Sequence, residues 1–166
     1  CVRVFKPGAR ALLWVGMRQL AETITSVRGL VYVWTVFCQY IPSRYVGHFQ
    51  AELDPILLFM RPGDGWPRRR RDPAHATLRQ RYPKSSIGHR DTRHPAARPA
   101  LTVKQMLYDW FEEGEWVIDP MAGSDTTGVA CRQLNLRYDS CEIDPVMFQH
   151  GLERHRQGYL FESAPP

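Results

Sequence analysis

Residues 116 to 144, WVIDPMAGSDTTGVACRQLNLRYDSCEID, constrain this chain more than any other stretch. Trp116-Val117-Ile118 is a short apolar run of the kind a buried parallel strand shows, and Asp119-Pro120 ends it. Met121 to Asp125 is a turn of small residues centred on Gly123. Thr126 to Leu134 fits one amphipathic helix, with Val129, Ala130, Gln133 and Leu134 at helical spacing. Arg137 to Ile143 fits a second strand, closing on Glu142. A strand feeding a glycine turn at a helix N-terminus, with an acid after the next strand, suits a nucleotide-type cofactor. The turn lets a ligand approach backbone N–H groups, and the acid accepts hydrogen bonds from ribose hydroxyls. Before Gly128, however, Gly123 is the only glycine of the turn. The stretch alone therefore fits equally well an ordinary βαβ unit, with Asp125 or Thr126 as helix N-cap and Glu142 on the surface.

The rest of the chain supplies elements of the same class. Val2 to Phe5 reads as the tail of a helix, and Lys6-Pro7-Gly8 as a turn. Ala11 to Val15 reads as a buried strand. Arg18 to Val27 fits a helix with Leu20, Ile24 and Val27 on one face, stopped by Gly29. Val31 to Phe37 is β-branched and aromatic, hence a strand. Gln39 to Gln50 shows no period and reads as a loop, and Ile56 to Met60 as another buried strand. Strands alternating with helices predict an α/β fold with a largely parallel sheet. A length of 166 residues fits one domain or part of one.

Charge is concentrated in one segment. Arg61 to Arg98 carries eleven Lys and Arg against three Asp and Glu, a net of +8, so the remainder of this +5 chain is net −3. The segment holds five of the prolines and the run Arg68-Arg69-Arg70-Arg71, with little hydrophobic period, and reads as a loop or partly ordered insert. Its Arg68, Arg69, Arg70, Arg71, Arg79, Arg81 and Lys84 are candidates for neutralising nucleic-acid phosphates, with Trp66 and Tyr82 available for stacking. The bland alternative is a solvated loop. Cys1, Cys38, Cys131 and Cys141 have no paired spacing, which argues against a zinc ribbon or a secreted disulfide framework and for a reducing cytoplasm. His75, His89 and His94 lack the Cys or carboxylate spacing of a metal site. No apolar run reaches about 18 residues, so no membrane span is expected.

His94-Pro95-Ala96-Ala97-Arg98-Pro99, followed by a helix over Leu101 to Phe111, precedes the central stretch. This pairing resembles the N-4/N-6 DNA methylase family, whose members carry His-Pro-x-x-Lys/Arg-Pro, a helix, Asp-Pro-Phe-x-Gly-Ser-Gly-Thr-Thr, and a strand ending Glu-x-Asp. His94, Pro95, Arg98 and Pro99 match the first motif. Asp119, Pro120, Gly123, Ser124, Thr126 and Thr127 match the second, and Glu142 and Asp144 the third. The helix after Pro145 resembles the family's C-terminal helix. Phe5-Lys6-Pro7-Gly8 with the following strand, and Ile56 to Arg61, resemble upstream family segments, which puts the basic insert in the target-recognition position of the beta motif order. The resemblance implies a Rossmann-like α/β methyltransferase fold, S-adenosylmethionine as cofactor, and DNA as partner. It also implies methyl transfer to the exocyclic amine of adenine or cytosine, in a bacterial or phage-encoded protein of the cytoplasm. The cofactor-binding residues it implies are His94, Arg98, Pro99, Asp119, Pro120, Gly123, Ser124, Asp125, Thr126 and Glu142. A restriction partner is compatible with it.

Three departures qualify the match. Asp125 stands where the family has a second glycine, and its side chain is expected at a turn that the cofactor approaches closely. Ala96 and Ala97 replace residues that are commonly polar. The family's Asp/Asn/Ser-Pro-Pro-aromatic tetrapeptide is absent, the only Pro-Pro being Pro165-Pro166. With Cys1 rather than Met at the start, the expectation is one partial methyltransferase domain, incomplete on its N-terminal side, with no catalytic residue assignable and little activity alone. A non-catalytic nucleic-acid-binding relic and an RNA methyltransferase are the other readings.

Overall fold

A computed structural model of the chain describes residues 2–46, 49–65, 77–81, 98 and 100–156. Side chains are described except in residues 2, 40–46, 49–52 and 77–81. The chain divides into two compact units, Cys1–Lys84 and Ser85–Pro166.

The first unit is built on a four-stranded sheet in the order β1-β3-β2-β4, with β1 Arg10–Trp14, β2 Val31–Val46, β3 Phe49–Met60 and β4 Thr77–Arg81. A turn of 3-10 helix at Val2–Val4 and the turn around Gly8 precede β1. That turn is pinned by the Gly8 N–H donating to Asp64 Oδ2 at 3.0 Å. Met17–Gln19 forms another 3-10 turn leading into α1, Leu20–Ser26. Ile56 to Met60 lies between two antiparallel neighbours, β1 and β2, and all five of its residues are buried, as a continuous apolar run demands.

Two expectations are corrected here. The segment Gln39 to Gln50 is not a loop, because β2 and β3 run through it as a long hairpin. Pairing in that part comes from the backbone ladder, with a register shift between Gln39 and Arg44, so no hydrophobic period marks it. The sheet of this unit is largely antiparallel, because only residues 47 and 48 separate β2 from β3, too few for a parallel crossover. Only β4 joins in parallel, along Phe37 to Ile41 of β2. β4 falls inside the basic segment.

The second unit is a βαβ unit with two further helices. It comprises α2 Ala100–Trp110, β5 Trp116–Asp119, α3 Thr126–Gln133, β6 Arg137–Ser140 and α4 Pro145–Arg156. β5 and β6 pair in parallel, Trp116 with Arg137 through Asp119 with Ser140, with α3 as the crossover. α2 buries Val103, Met106, Leu107 and Trp110, one helical face at spacings of three and four, and packs on α3, where Val129, Ala130 and Cys131 are buried. In β5 only Val117 is buried, while Trp116 and Ile118 are exposed. The turn before β5 aligns the two strands through Gly114 N–H to the Asn135 carbonyl (3.0 Å) and Arg137 N–H to the Glu115 carbonyl (2.8 Å).

Candidate cofactor site

The turn after β5 is held on three sides. The Met121 N–H donates to Asp119 Oδ1 at 3.1 Å, bending the chain as β5 ends. The Ala122 N–H donates to the Cys141 carbonyl, and the Cys141 N–H to the Asp119 carbonyl, both at 3.0 Å, tying the turn to the end of β6. Gly123 takes φ 56, a left-handed conformation that a side chain rarely adopts.

Glu142 closes back onto this turn. Its Oε2 accepts the Gly123 N–H at 2.6 Å, and its Oε1 accepts the Asp144 N–H at 2.9 Å. These amides, the Asp144 N–H first, hold its carboxyl below the usual carboxylate range, so it is ionised at neutral pH. A carboxylate offers roughly four lone-pair directions. The Gly123 and Asp144 N–H groups take one direction on each oxygen, and the Ile143 N–H also contributes, while the half-buried side chain keeps acceptor capacity for hydroxyl donors.

Asp125 follows the turn at the start of α3. It occupies the N-cap position of α3 with φ 59 and ψ 41, yet its side chain makes no capping bond. Tyr138 Oη of β6 donates to Asp125 Oδ1, and His155 Nε2 of α4 pairs with Oδ2. Burial and then this bond push the Tyr138 hydroxyl far above its ordinary pKa, which keeps it a donor. On either side of Asp125, Arg154 Nη1 donates to the Ser124 carbonyl (2.7 Å), to Ser124 Oγ (3.2 Å) and to Thr126 Oγ1 (3.3 Å). Beneath it, burial pushes the Cys131 thiol up to about 12, helped by the charges of Asp125 and Asp119.

One βαβ unit thus brings together Asp119, Gly123, Ser124, Asp125, Thr126 and Glu142, with Pro120 exposed on the turn. Arg98 is half-buried just before α2. His94, Pro99, Arg68 to Arg71 and Lys84 lie outside the described residues. Arg79 and Arg81 lie in β4, with side chains outside them. Tyr138, Arg154 and His155 were not singled out by sequence reasoning. Their partners lie 13 to 30 residues away, beyond the reach of any local pattern.

The concavity bounded by Gly123, Asp125, Ser140, Glu142 and Phe148 measures only about 30 Å³, room for one water rather than a nucleoside. The turn is an open shelf instead, flanked by Met121 and Ile143, which are 80% and 99% exposed. A larger groove of about 360 Å³ along Pro145, Val146, His150 and Glu153 of α4 includes none of these turn residues. Among the described residues no group of three or more His, Cys, Asp or Glu is placed to hold a metal ion, and no helix is long and apolar enough to cross a membrane.

The sequence matches the DNA methylase family model, the N6/N4 group, over residues 1–152. The chain belongs to this DNA methylase family. A curated relative, the Type II methyltransferase M2.DpnII of Streptococcus pneumoniae, is 33% identical over 46 residues, which are 28% of this chain and 17% of that enzyme. The chain therefore matches about one sixth of that relative's length.

Solved structures extend the likeness to the whole fold. The M1.HpyAVI-SAM complex superposes with a TM-score of 0.75 at 18% identity, covering 91% of this chain and 76% of that one. TTHA0409 of Thermus thermophilus, described as a DNA modification methylase, gives 0.68 at 23% identity, with 94% and 71% covered. The PvuII cytosine-N4-specific DNA methyltransferase gives 0.67 at 17%, with 97% and 67% covered. The fold of this family member is accordingly an α/β methyltransferase fold.

Proposed function

We propose that this DNA methylase transfers a methyl group from S-adenosylmethionine to an exocyclic amine of adenine or cytosine in DNA. The shelf from Asp119 to Gly123, with Glu142, holds the cofactor. The observation that carries the reading is the closure of an ionised Glu142 onto the Gly123 N–H, at the end of a strand parallel to β5. It places an acceptor for paired hydroxyls beside a turn with no side chain on its central residue. Asp125 and the absent Pro-Pro-aromatic tetrapeptide are the two features that favour the alternative, a non-catalytic relic. The Asp125 carboxylate is engaged by Tyr138 and His155, so both oxygens have partners within the protein, which supports the cofactor reading.

When bound, the cofactor supplies a methyl group on a cationic sulfur that is already a good leaving group, so positioning dominates the chemistry. This chain's contribution is to bind and orient. Glu142 takes ribose hydroxyls, Asp119 keeps the turn bent through the Met121 N–H, and Arg154 fixes Ser124 and Thr126 behind it. A base reached within duplex DNA has to be flipped out of the stack. The net +8 of residues 61 to 98 is the segment suited to the flanking phosphates. The setting is the cytoplasm of a bacterial or phage-infected cell, where a restriction partner is compatible with the reading.

Calorimetric titration with S-adenosylmethionine tests it. The protein should bind, and Glu142→Ala should weaken binding by on the order of 1–3 kcal/mol through lost hydrogen bonds. Equal affinity in both proteins removes Glu142 from the site, and no binding by the wild type removes the cofactor reading.

A further inference from the structure

We propose that Asp125 is a positioning residue: its carboxylate, held between Tyr138 of β6 and His155 of α4, keeps the shelf's backbone in shape and so sets cofactor affinity without touching the cofactor. The inference rests on the reading of the Asp119–Gly123 turn as the cofactor shelf.

The backbone of Asp125 takes φ 59, a left-handed value that glycine reaches freely and that an aspartate adopts less readily than glycine, though more readily than most residues. Support comes from two separate elements, one for each carboxylate oxygen. Space for the side chain is made by glycines. A Cβ on Gly128 of α3 would stand 2.4 Å from Tyr138 Cε1 and 2.6 Å from Asp125 Oδ2, and one on Gly151 of α4 would stand 2.9 Å from Asp125 Cβ. α4 also grips the residues on either side of Asp125, through Arg154 to Ser124 and Thr126. The Asp125 N–H donates to the Ala122 carbonyl at 2.8 Å, across the same turn whose Gly123 N–H meets Glu142. A change in the Asp125 backbone therefore shifts the amide that orients the ribose acceptor. Tyr138, His155, Gly128 and Gly151 together form a receptacle for one carboxylate, built where glycine alone would need none.

A double-mutant cycle separates this role from plain packing. Tyr138→Phe and His155→Gln should each weaken S-adenosylmethionine binding about tenfold in the Asp125 protein. In the Asp125→Gly background the same substitutions should change affinity less than about twofold, because glycine holds the conformation unaided. Hydrogen exchange of the Gly123 and Asp125 amides should follow the same pattern. A network that only packs helices would move the melting temperature in both backgrounds and leave affinity alone. That result, or equal affinity losses in both backgrounds, overturns the proposal. Should Tyr138→Phe fail to fold, Asp125→Asn, which keeps an acceptor for Tyr138, is expected to retain affinity and amide protection. Loss of both in the folded Asp125→Asn protein overturns the proposal too. If the wild type binds no S-adenosylmethionine, the cofactor reading falls, and the exchange measurement still decides the network. Faster exchange at Gly123 in the Tyr138 and His155 variants supports it, and unchanged exchange sinks it.

Discussion

Glu142 and Cys131 titrate in opposite senses for opposite reasons. Backbone amides stabilise the charge on Glu142, so its pKa in the fold lies below the unfolded value. The stability it contributes is present above the unfolded pKa and is lost as pH falls through the folded one. Binding that depends on its charge should therefore stay flat through the ordinary glutamate range near about 4.3 and fall only below it. The difference between wild-type and Glu142→Ala affinity, followed downward from neutral pH with circular dichroism as a check on folding, measures this. A midpoint at or above the ordinary value means the amides do not hold the charge. Cys131 is the reverse case, a thiol that burial and nearby carboxylates keep protonated at about 12. Iodoacetamide should label the exposed Cys141 in the native protein, and Cys131 only once denaturant is added. Peptide mass spectrometry reads the order, and early labelling of Cys131 would show that α3 opens readily.

Helices α2 and α3 show how far composition predicts packing. The apolar face of α2 is readable from the spacing of Val103, Met106, Leu107 and Trp110. Leu107 is 2% exposed, so Leu107→Ala should cost about 2–5 kcal/mol, seen as a lower urea midpoint. Gly128 runs against propensity. Alanine in a helix interior is ordinarily favoured over glycine by about 1 kcal/mol. Here its Cβ would press on the Tyr138 ring and the Asp125 carboxylate, so Gly128→Ala should destabilise by about 1–3 kcal/mol. A Gly128→Ala protein more stable than wild type would mean that Asp125 does not lie against α3. Propensity alone gives the wrong sign at this position, because the obstacle comes from residue 138, on another element.

Across the whole chain the main asymmetry is electrostatic, with the basic excess confined to residues 61 to 98. Affinity for duplex DNA should fall with salt by about 0.9 in log–log slope for each phosphate neutralised. Replacing Arg68, Arg69, Arg70 and Arg71 by alanine should flatten that slope by up to about 3.6 if all four meet phosphates. Binding that ignores salt, or a slope indifferent to the four substitutions, would make the run a solvated loop. Filter binding from low to moderate ionic strength suffices to tell these outcomes apart.

The amino-acid sequence determined what is local along the chain. β5, the Gly123 turn, α3 and the acid after β6 lie within 27 residues, so spacing and residue type reveal them, and with them the family. The buried strand Ile56 to Met60 was readable for the same reason, as a run of apolar residues in a row. Tertiary structure decided whatever depends on a partner distant in sequence. The extension of β2 and β3 into a long hairpin rests on backbone groups that every residue carries, so no side-chain pattern announced it. Asp125 looked like an obstruction because its neighbours in sequence are the shelf. Its neighbours in space are Tyr138 and His155, 13 and 30 residues further on, and their hydrogen bonds turn the carboxylate inward. Local sequence cannot contain that outcome, since the partners that hold the carboxylate come from other elements of the fold.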